Sequence, residues 1–299
     1  MILVTGASGF VGSRIVARLV GESDHPRALV RDADSARNRL PAGGVEIVTG
    51  DTTEPETLKP AMEGVDTIIH CAFIVANRKQ GPGVNYRETN VNGTRHLVHA
   101  AREAGVRRIV VMGGLGTRPS RDPYTQGRYE ADQSVRQSGL KWSILGPSVQ
   151  FGKGSAFIEG LADLIRSAPV VPMVGDGKVR FQPIWIEDVV TAIVMMAKEP
   201  AGYDGRYIEI GGPHIYTYAQ ILDMLMETMG MHKLKVPGPI PFARLGAFLM
   251  ETVLPNPPIT SAAVGLFESD NVATLDSVER NFGFKPMSLK TYLAQNGVN

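Results

Sequence analysis

Through its first half the chain alternates short apolar runs with stretches in which apolar residues recur at helical spacing. The runs at residues 2–5, 27–31, 45–49, 66–71, 108–112 and 141–145 are short and rich in Val, Ile and Leu, which predicts strands. Between them, residues 11–20, 55–62, 90–104 and 124–137 carry the helical period. Strictly alternating strands and helices build a parallel sheet covered on both faces, because each crossover lays a helix across the strands it joins. The rhythm changes beyond Pro147, where Gly152-Lys-Gly154 and Val174-Gly-Asp-Gly177 separate shorter elements. Residues 181–186, 189–198 and 207–210 read as a strand, a helix and a strand that return to the sheet. From Thr217 onward the chain reads as helical, interrupted by prolines within 237–241 and 255–258 that lack the N–H a helix needs. The expected architecture is α/β, a doubly wound parallel sheet with a smaller, discontinuous carboxyl-terminal lobe. The sheet domain spans 1–150 and regains 183–211, while 151–182 and 212–299 form the lobe.

One junction gives this architecture a chemical meaning. The first strand runs directly into Thr5-Gly-Ala-Ser-Gly-Phe-Val-Gly12 and then into a helix. Gly6 permits the sharp turn, Gly9 lets backbone amides approach a pyrophosphate, and Gly12 lets the helix sit close to the strand. The helix N-terminus then offers unpaired donors and the positive end of its dipole. That order of strand, turn and helix predicts a Rossmann-type dinucleotide site, with Gly6, Ser8, Gly9, Phe10, Val11 and Gly12 around the pyrophosphate.

Composition narrows the rest. A chain of 299 residues with 43% hydrophobic content can bury a core without staples. With 31 basic against 30 acidic residues, the net charge of +1 indicates neither a nucleic-acid nor a membrane partner. Cys71 is the one cysteine, which excludes an internal disulfide and fits a reducing compartment. The expectation is a cytoplasmic protein with no signal peptide and no membrane span. Histidine spacing suggests no metal site.

The ends of the predicted strands supply further candidates. After the second strand stand Arg31 and Asp32: a guanidinium there attracts a 2′-phosphate, whereas a carboxylate accepts ribose hydroxyls. Arg31 follows the apolar run immediately, with Ser8 and Arg37 as helpers, so NADP(H) is favoured and NAD(H) is the alternative. Arg31 can instead pair with Asp32 or Asp34 on the surface. Asp51, with Thr52 beside it, is placed either to accept the adenine amino group or to cap a helix ahead of Pro55. Cys71 and Ala72 follow the fourth strand and Met112 and Gly113 the fifth, while Pro147, Ser148 and Val149 follow the sixth; all are expected along the path to the nicotinamide. His70 reads as a core histidine, and Asp188 as a helix cap.

The glycine turn, Asn90-Val-Asn-Gly-Thr94, Tyr124-x-x-x-Arg128, Leu145-Gly-Pro147-Ser-Val149 and the stretch from Gly202 to Gly212 together resemble the short-chain dehydrogenase/reductase superfamily. More narrowly, the chain is similar to its atypical branch, which includes the 39-kDa NAD(P)H-binding subunit of respiratory complex I and epimerase/dehydratase-like proteins. Pro255 to Thr260 and Ser269 to Val272 extend the likeness to the carboxyl terminus. The resemblance implies Tyr124 as proton donor, Arg128 where the family has lysine, Asn90 as a water-organising residue that also starts a helix, and Gly113-Gly114 where the family has serine. Arginine keeps the charge but changes shape and reach. The double glycine offers no hydroxyl, Thr117 stands nearby, and the space left free suits a nicotinamide ring. The implied function is an NAD(P)(H)-dependent oxidoreductase acting on a small apolar carbonyl, alkene or quinone. The alternative is a non-catalytic NAD(P)H-binding protein that senses redox state or joins an assembly, so a protein partner, like the choice between monomer and homodimer, stays open. Apolar residues from Phe242 to Leu254 suggest a hydrophobic pocket or a partner surface.

Overall fold

The computed structural model describes residues 1–81, 84–199, 201–254 and 259–298. The proline cluster at 255–258 lies outside the described residues. The chain divides into two compact units, the first made of Met1–Ile74, Gln80–Gly146 and Val189–Ile208, and the second of Val75–Lys79, Pro147–Asp188 and Glu209–Asn299.

The first unit is built on β1 (Ile2–Thr5), β2 (Arg27–Val30), β3 (Glu46–Thr49), β4 (Thr67–His70), β5 (Arg108–Met112), β6 (Lys141–Pro147) and β11 (Arg206–Ile210). They form one seven-stranded sheet in the order β11-β6-β5-β4-β1-β2-β3. The pairs from β6 through β3 are parallel. Registers such as Thr5 opposite Leu29 and His70 bring the carboxyl ends of the strands to one edge. The crossovers include α1 (Gly12–Gly21), α2 (Ala33–Arg37), α3 (Leu58–Ala61), α4 (Gly93–Glu103) and α5 (Pro123–Arg136). Leu3, Ile68, Ile109, Val111 and Ile144 of the strands pack with Leu58, Leu97 and Val135 of the helices in one buried cluster. Each such side chain stabilises the fold by about 1.5–3 kcal/mol relative to exposure. On α1, Ile15, Val16 and Leu19 are buried at helical spacing. α7 (Ile186–Lys198) runs beside α1, where Lys198 binds Glu22 at 2.9 Å and Asp24 at 2.8 Å.

Two segments of the first unit differ from the sequence pattern. The helix expected over 90–104 begins earlier, as a π-helical stretch Tyr86–Asn92 that leads into α4, and it is capped by Asn85 accepting from the Glu88 amide at 2.9 Å. Asn90 therefore lies inside the helix and does not cap it. Residues 55–62 are a 3-10 turn, Pro55–Thr57, followed by α3.

The second unit carries β7 (Gln150–Phe151), α6 (Ala156–Ser167), β8 (Val171–Val174), β9 (Arg180–Phe181), β10 (Ile184–Trp185), β12 (Tyr216–Thr217), α8 (Tyr218–Thr228), β13 (Lys235–Gly238), α9 (Ile240–Val253), α10 (Ser261–Gly265), α11 (Ser277–Phe282) and α12 (Leu289–Asn296). Its core gathers Phe151, Phe181, Tyr218, Leu222, Leu225 and Phe267. The strand expected over 181–186 is instead two two-residue strands, and neither joins the large sheet: β9 pairs with β12 and β10 with β7. Pro183 interrupts the run because it cannot donate to a ladder. The Gln182 amide satisfies neighbouring backbone instead, donating to the Gly212 carbonyl at 2.7 Å and accepting from Ala273 N–H at 2.7 Å. α7 begins at Ile186, so Asp188 sits in its first turn and does not cap it; its carboxylate accepts from Met287 N–H at 2.8 Å.

Candidate active site

The glycine turn is shaped by close backbone approach. Gly6 has φ +64°, and a Cβ there would lie 2.6 Å from the Cys71 carbonyl oxygen; a Cβ on Gly12 would run into the Gly6 carbonyl, and one on Gly9 would lie 3.1 Å from it. Any side chain at Gly6 or Gly12 would displace backbone. Val11 occupies the N-cap position of α1, no side chain caps this helix, and its first turn holds no acidic residue. By contrast, α2, α5 and α6 are capped by Asp32, Asp122 and Ser155. An uncapped helix start beside a glycine turn fits a pyrophosphate, whose oxygens take the place of the missing acceptor. Phe10 is held on the turn by Arg14, whose guanidinium lies 4.5 Å from the ring centroid and donates to the Phe10 carbonyl at 2.7 Å.

At the end of β2 the two opposite charges have separate tasks. The Asp32 carboxylate accepts from Asp34 N–H at 3.0 Å and Ser35 N–H at 3.3 Å, bonds that hold it below the usual carboxylate range. Arg31 is 61% exposed and lies 3.9 Å from Asp51, so it pairs with neither Asp32 nor Asp34. Arg37 pairs with Asp34 at 2.8 Å. Arg39, absent from the sequence-based candidates, donates to the Ser8 carbonyl at 3.3 Å and so brings a second guanidinium to the glycine turn. Its position two residues beyond α2 gives no linear signal. Asp51 accepts from the Thr53 amide at 2.8 Å and hydroxyl at 2.9 Å, and the N-cap of the 3-10 turn is Glu54. Thr52 is buried, and a Cβ on Gly93 would lie 2.8 Å from its hydroxyl oxygen.

Beyond β4, His70 is fully buried with its ring nitrogens 2.7 Å from the Thr5 hydroxyl and 3.0 Å from the Thr94 hydroxyl. Burial, with a smaller push from Arg128, lowers its pKa to about 3. It is a neutral core histidine. The adjacent Cys71 thiol is pushed up to about 12 by burial, so it is no thiolate nucleophile at neutral pH. Cys71 and Ala72 form the wall against which Gly6 turns.

The residues matched to the family's catalytic positions cluster around α5. Tyr124 is its second residue, behind Pro123, and its ring stands edge-on to Tyr86 with centroids 5.4 Å apart. Arg128, one turn on, is buried. Its Nη2 donates to the Met112 carbonyl, its guanidinium carbon lies 3.8 Å from the Phe73 ring centroid, and its Nε has no hydrogen-bond partner. The Asn90 amide is held by the backbone of one residue, accepting from Ile74 N–H at 2.8 Å and donating to the Ile74 carbonyl at 3.1 Å. Its hydrogen bonds pin the chain after β4. A Cβ on Gly113 would lie 2.6 Å from an Ile144 methyl and 3.0 Å from the Leu145 carbonyl, so the side of the backbone that a side chain would occupy is filled. Packing of β6 against β5 therefore demands this glycine. Gly114 is open, and its carbonyl accepts hydroxyls from Thr117, at 2.7 Å, and from Tyr207. β6 ends at Pro147, which with Ser148 and Val149 belongs to the second unit, where the Asn271 amide oxygen accepts from the Ser148 hydroxyl at 2.7 Å and Val149 N–H at 3.1 Å.

Comparison with known proteins agrees with this geometry. Residues 6–151 match the model of an NAD(P)H-binding family. An NAD(P)H azoreductase of Xenophilus azovorans is 32% identical over 238 residues, covering 77% of this chain and 74% of that protein. A mitochondrial NADH dehydrogenase [ubiquinone] 1 alpha subcomplex subunit 9 of Arabidopsis thaliana is 22% identical, with 91% of this chain and 68% of that protein covered. The structure of an NADPH-dependent quinone oxidoreductase of Escherichia coli complexed with NADPH shares the fold, with a TM-score of 0.78, 18% identity and 99% of both chains covered. The chain belongs to the NAD(P)H-binding family of atypical short-chain dehydrogenases/reductases, and is an NAD(P)-dependent oxidoreductase. No helix among the described residues is long and apolar enough to cross a membrane.

Proposed function

We propose that this protein is an NADP(H)-dependent reductase of a small apolar carbonyl, alkene or quinone. The observation that carries the cofactor choice is the pair of cations after β2: Arg31 is exposed and Arg39 reaches the Ser8 carbonyl, while Asp32 gives one carboxylate oxygen to capping α2. A 2′-phosphate needs cationic donors, whereas a 2′-hydroxyl is met by a carboxylate. Gly6, Ser8, Gly9, Phe10, Val11 and Gly12 would hold the pyrophosphate, with Asp51 and Thr52 toward the adenine, and Cys71, Ala72, Met112, Gly113, Pro147, Ser148 and Val149 toward the nicotinamide. When bound, the nicotinamide supplies a hydride.

Tyr124 supplies the proton that accompanies this transfer. A guanidinium is a permanent cation with donors only, so the part of Arg128 in this scheme is a fixed positive charge and not a proton relay. Its hold on Met112 and Phe73 supports that assignment by fixing the guanidinium one helical turn beyond Tyr124 in the chain. Relatives named as reductases of an azo compound or a quinone support an apolar acceptor.

The test combines binding with turnover. Arg31→Ala should weaken NADPH binding about tenfold to a hundredfold, the size of a lost charge-assisted hydrogen bond, and leave NADH nearly unchanged. NADPH oxidation over a panel of carbonyls, alkenes and quinones should fall at least about a hundredfold in Tyr124→Phe, with binding retained. Equal loss of both nucleotides in Arg31→Ala would overturn the cofactor assignment. Tight NADPH binding without turnover on any acceptor would favour a redox sensor over a reductase.

A further inference from the structure

α9 is turned the wrong way round for a helix that serves only its own core. Ala247 is fully buried, and Ile240 and Ala243 pack against the core of the second unit, so the inward face is mostly small. The outward face carries the large side chains: Phe242 is 70% exposed, Leu245 55%, Leu249 55% and Val253 79%, spaced along one stripe, with Phe248 beside them at 56%. Its two charged residues are engaged elsewhere, Arg244 with Glu268 at 2.7 Å and Glu251 with the Ser261 hydroxyl at 2.6 Å. At the carboxyl end of the helix, half-buried Lys79 donates to the Leu254 carbonyl at 2.9 Å, which sets the exposed Arg78 and Val75 near the end of the apolar stripe.

We infer that α9, flanked by Arg78 and Lys79, is a peripheral docking face for an anionic lipid surface. Five half-exposed apolar side chains on one helix form a patch that single surface hydrophobics do not. They offer on the order of 500 Å², well below the ~800 Å² per partner of a stable protein interface, so a second copy of the chain is the weaker occupant. A lipid surface sets no such threshold, because each side chain that enters the headgroup boundary adds its own apolar burial and neighbouring cations add attraction to anionic lipid. The near-neutral charge of the whole chain does not oppose this, since the relevant charge is local to the 75–79 turn.

The full chain should co-sediment with phosphatidylcholine vesicles containing phosphatidylglycerol and bind pure phosphatidylcholine more weakly, with binding reduced by salt. The double variant Phe242→Ser/Phe248→Ser should partition about tenfold less or worse, and Arg78→Glu should lose the preference for anionic vesicles. Both variants should keep the melting temperature and NADPH affinity of the parent, which separates this test from the fate of the proposed reaction. Failure of the parent to pellet with either vesicle overturns the inference. So does a dimer, seen by analytical ultracentrifugation, that the double phenylalanine variant dissolves.

Discussion

At the scale of single residues, the glycine positions make distinguishable demands. Gly12→Ala forces its methyl into the Gly6 carbonyl, whereas Gly114→Ala would bring a methyl no nearer than 3.7 Å to the Thr117 hydroxyl oxygen. Gly12→Ala should therefore weaken NADPH binding at least about tenfold, because the turn must open before amides can meet the pyrophosphate. Calorimetry should find Gly114→Ala close to the parent. Two buried ionisable groups give a second residue-scale prediction. His70 is held down to about 3 against an ordinary 6.5 by burial, so between those values the unfolded chain carries a proton that the fold refuses, and stability falls as pH drops. Burial pushes Asp132 up to about 6 against 3.8, with Arg128 and Arg136 opposing; both its carboxylate oxygens lack partners. Here the fold keeps a proton that the unfolded chain releases, so stability is lost as pH rises through that window. Each slope is about 1.4 kcal/mol per pH unit, and the two cancel where the windows overlap. Asp132→Asn removes the second slope alone. Its stability relative to the parent, measured by urea unfolding, should climb between pH 3.8 and 6 and level off above, at about 2–3 kcal/mol in its favour. A difference that stays constant across pH would show that Asp132 is not protonated in the fold.

At the scale of elements, α5 matters most because it carries Tyr124 and Arg128 together. The Asp122 carboxylate accepts from Thr125 N–H at 2.8 Å and Pro123 occupies the first turn, so the helix start is fixed within one residue of Tyr124. Asp122→Ala should cost about 1 kcal/mol in thermal unfolding and, if Tyr124 is the proton donor as proposed, should lower turnover more than NADPH affinity, since the frayed end holds Tyr124 and not the glycine turn. Equal losses in both would place Tyr124 on the binding path instead. What the sequence disclosed about such elements follows how local their causes are. The turn from Gly6 to Gly12 was readable because strand, turn and helix adjoin in the chain. Asn85 and Glu88 carry a helix-start signal at capping spacing, ahead of the family motif that begins at Asn90, and π-helical geometry has no sequence signature of its own. The reason for Gly113 lay in Ile144 on another strand, and the hold on Arg128 lay in Phe73 after β4. Neither neighbour can be inferred from linear spacing. α9 was legible as apolar, but its orientation was not, because apolar side chains occur on both of its faces.

At the scale of the whole molecule, each unit is assembled from three separate segments, so the chain passes between them five times. The sheet-forming first half is therefore not an independent piece. A fragment ending at residue 150 would lose α7 and β11. It would forfeit the burial of Val189, Val190, Ile193, Val194 and Met196, the links from Lys198 to Glu22 and Asp24, and the bidentate pairing of Arg108 with Asp204. Five apolar side chains at about 1.5–3 kcal/mol each, even discounted for residual burial in the unfolded chain, approach the 5–15 kcal/mol by which a whole domain is stable. Removing β11 also leaves β6 as a bare edge, with its unpaired backbone groups open to association. The fragment should accordingly show no cooperative melting transition and no stabilisation by NADPH, despite containing the entire glycine turn. Joining residues 186–210 to it through a flexible linker should restore both, because the returning helix can again lie beside α1 and the returning strand beside β6. Cooperative melting of the 1–150 fragment, raised by NADPH in scanning calorimetry, would show that the cofactor site needs only its first half.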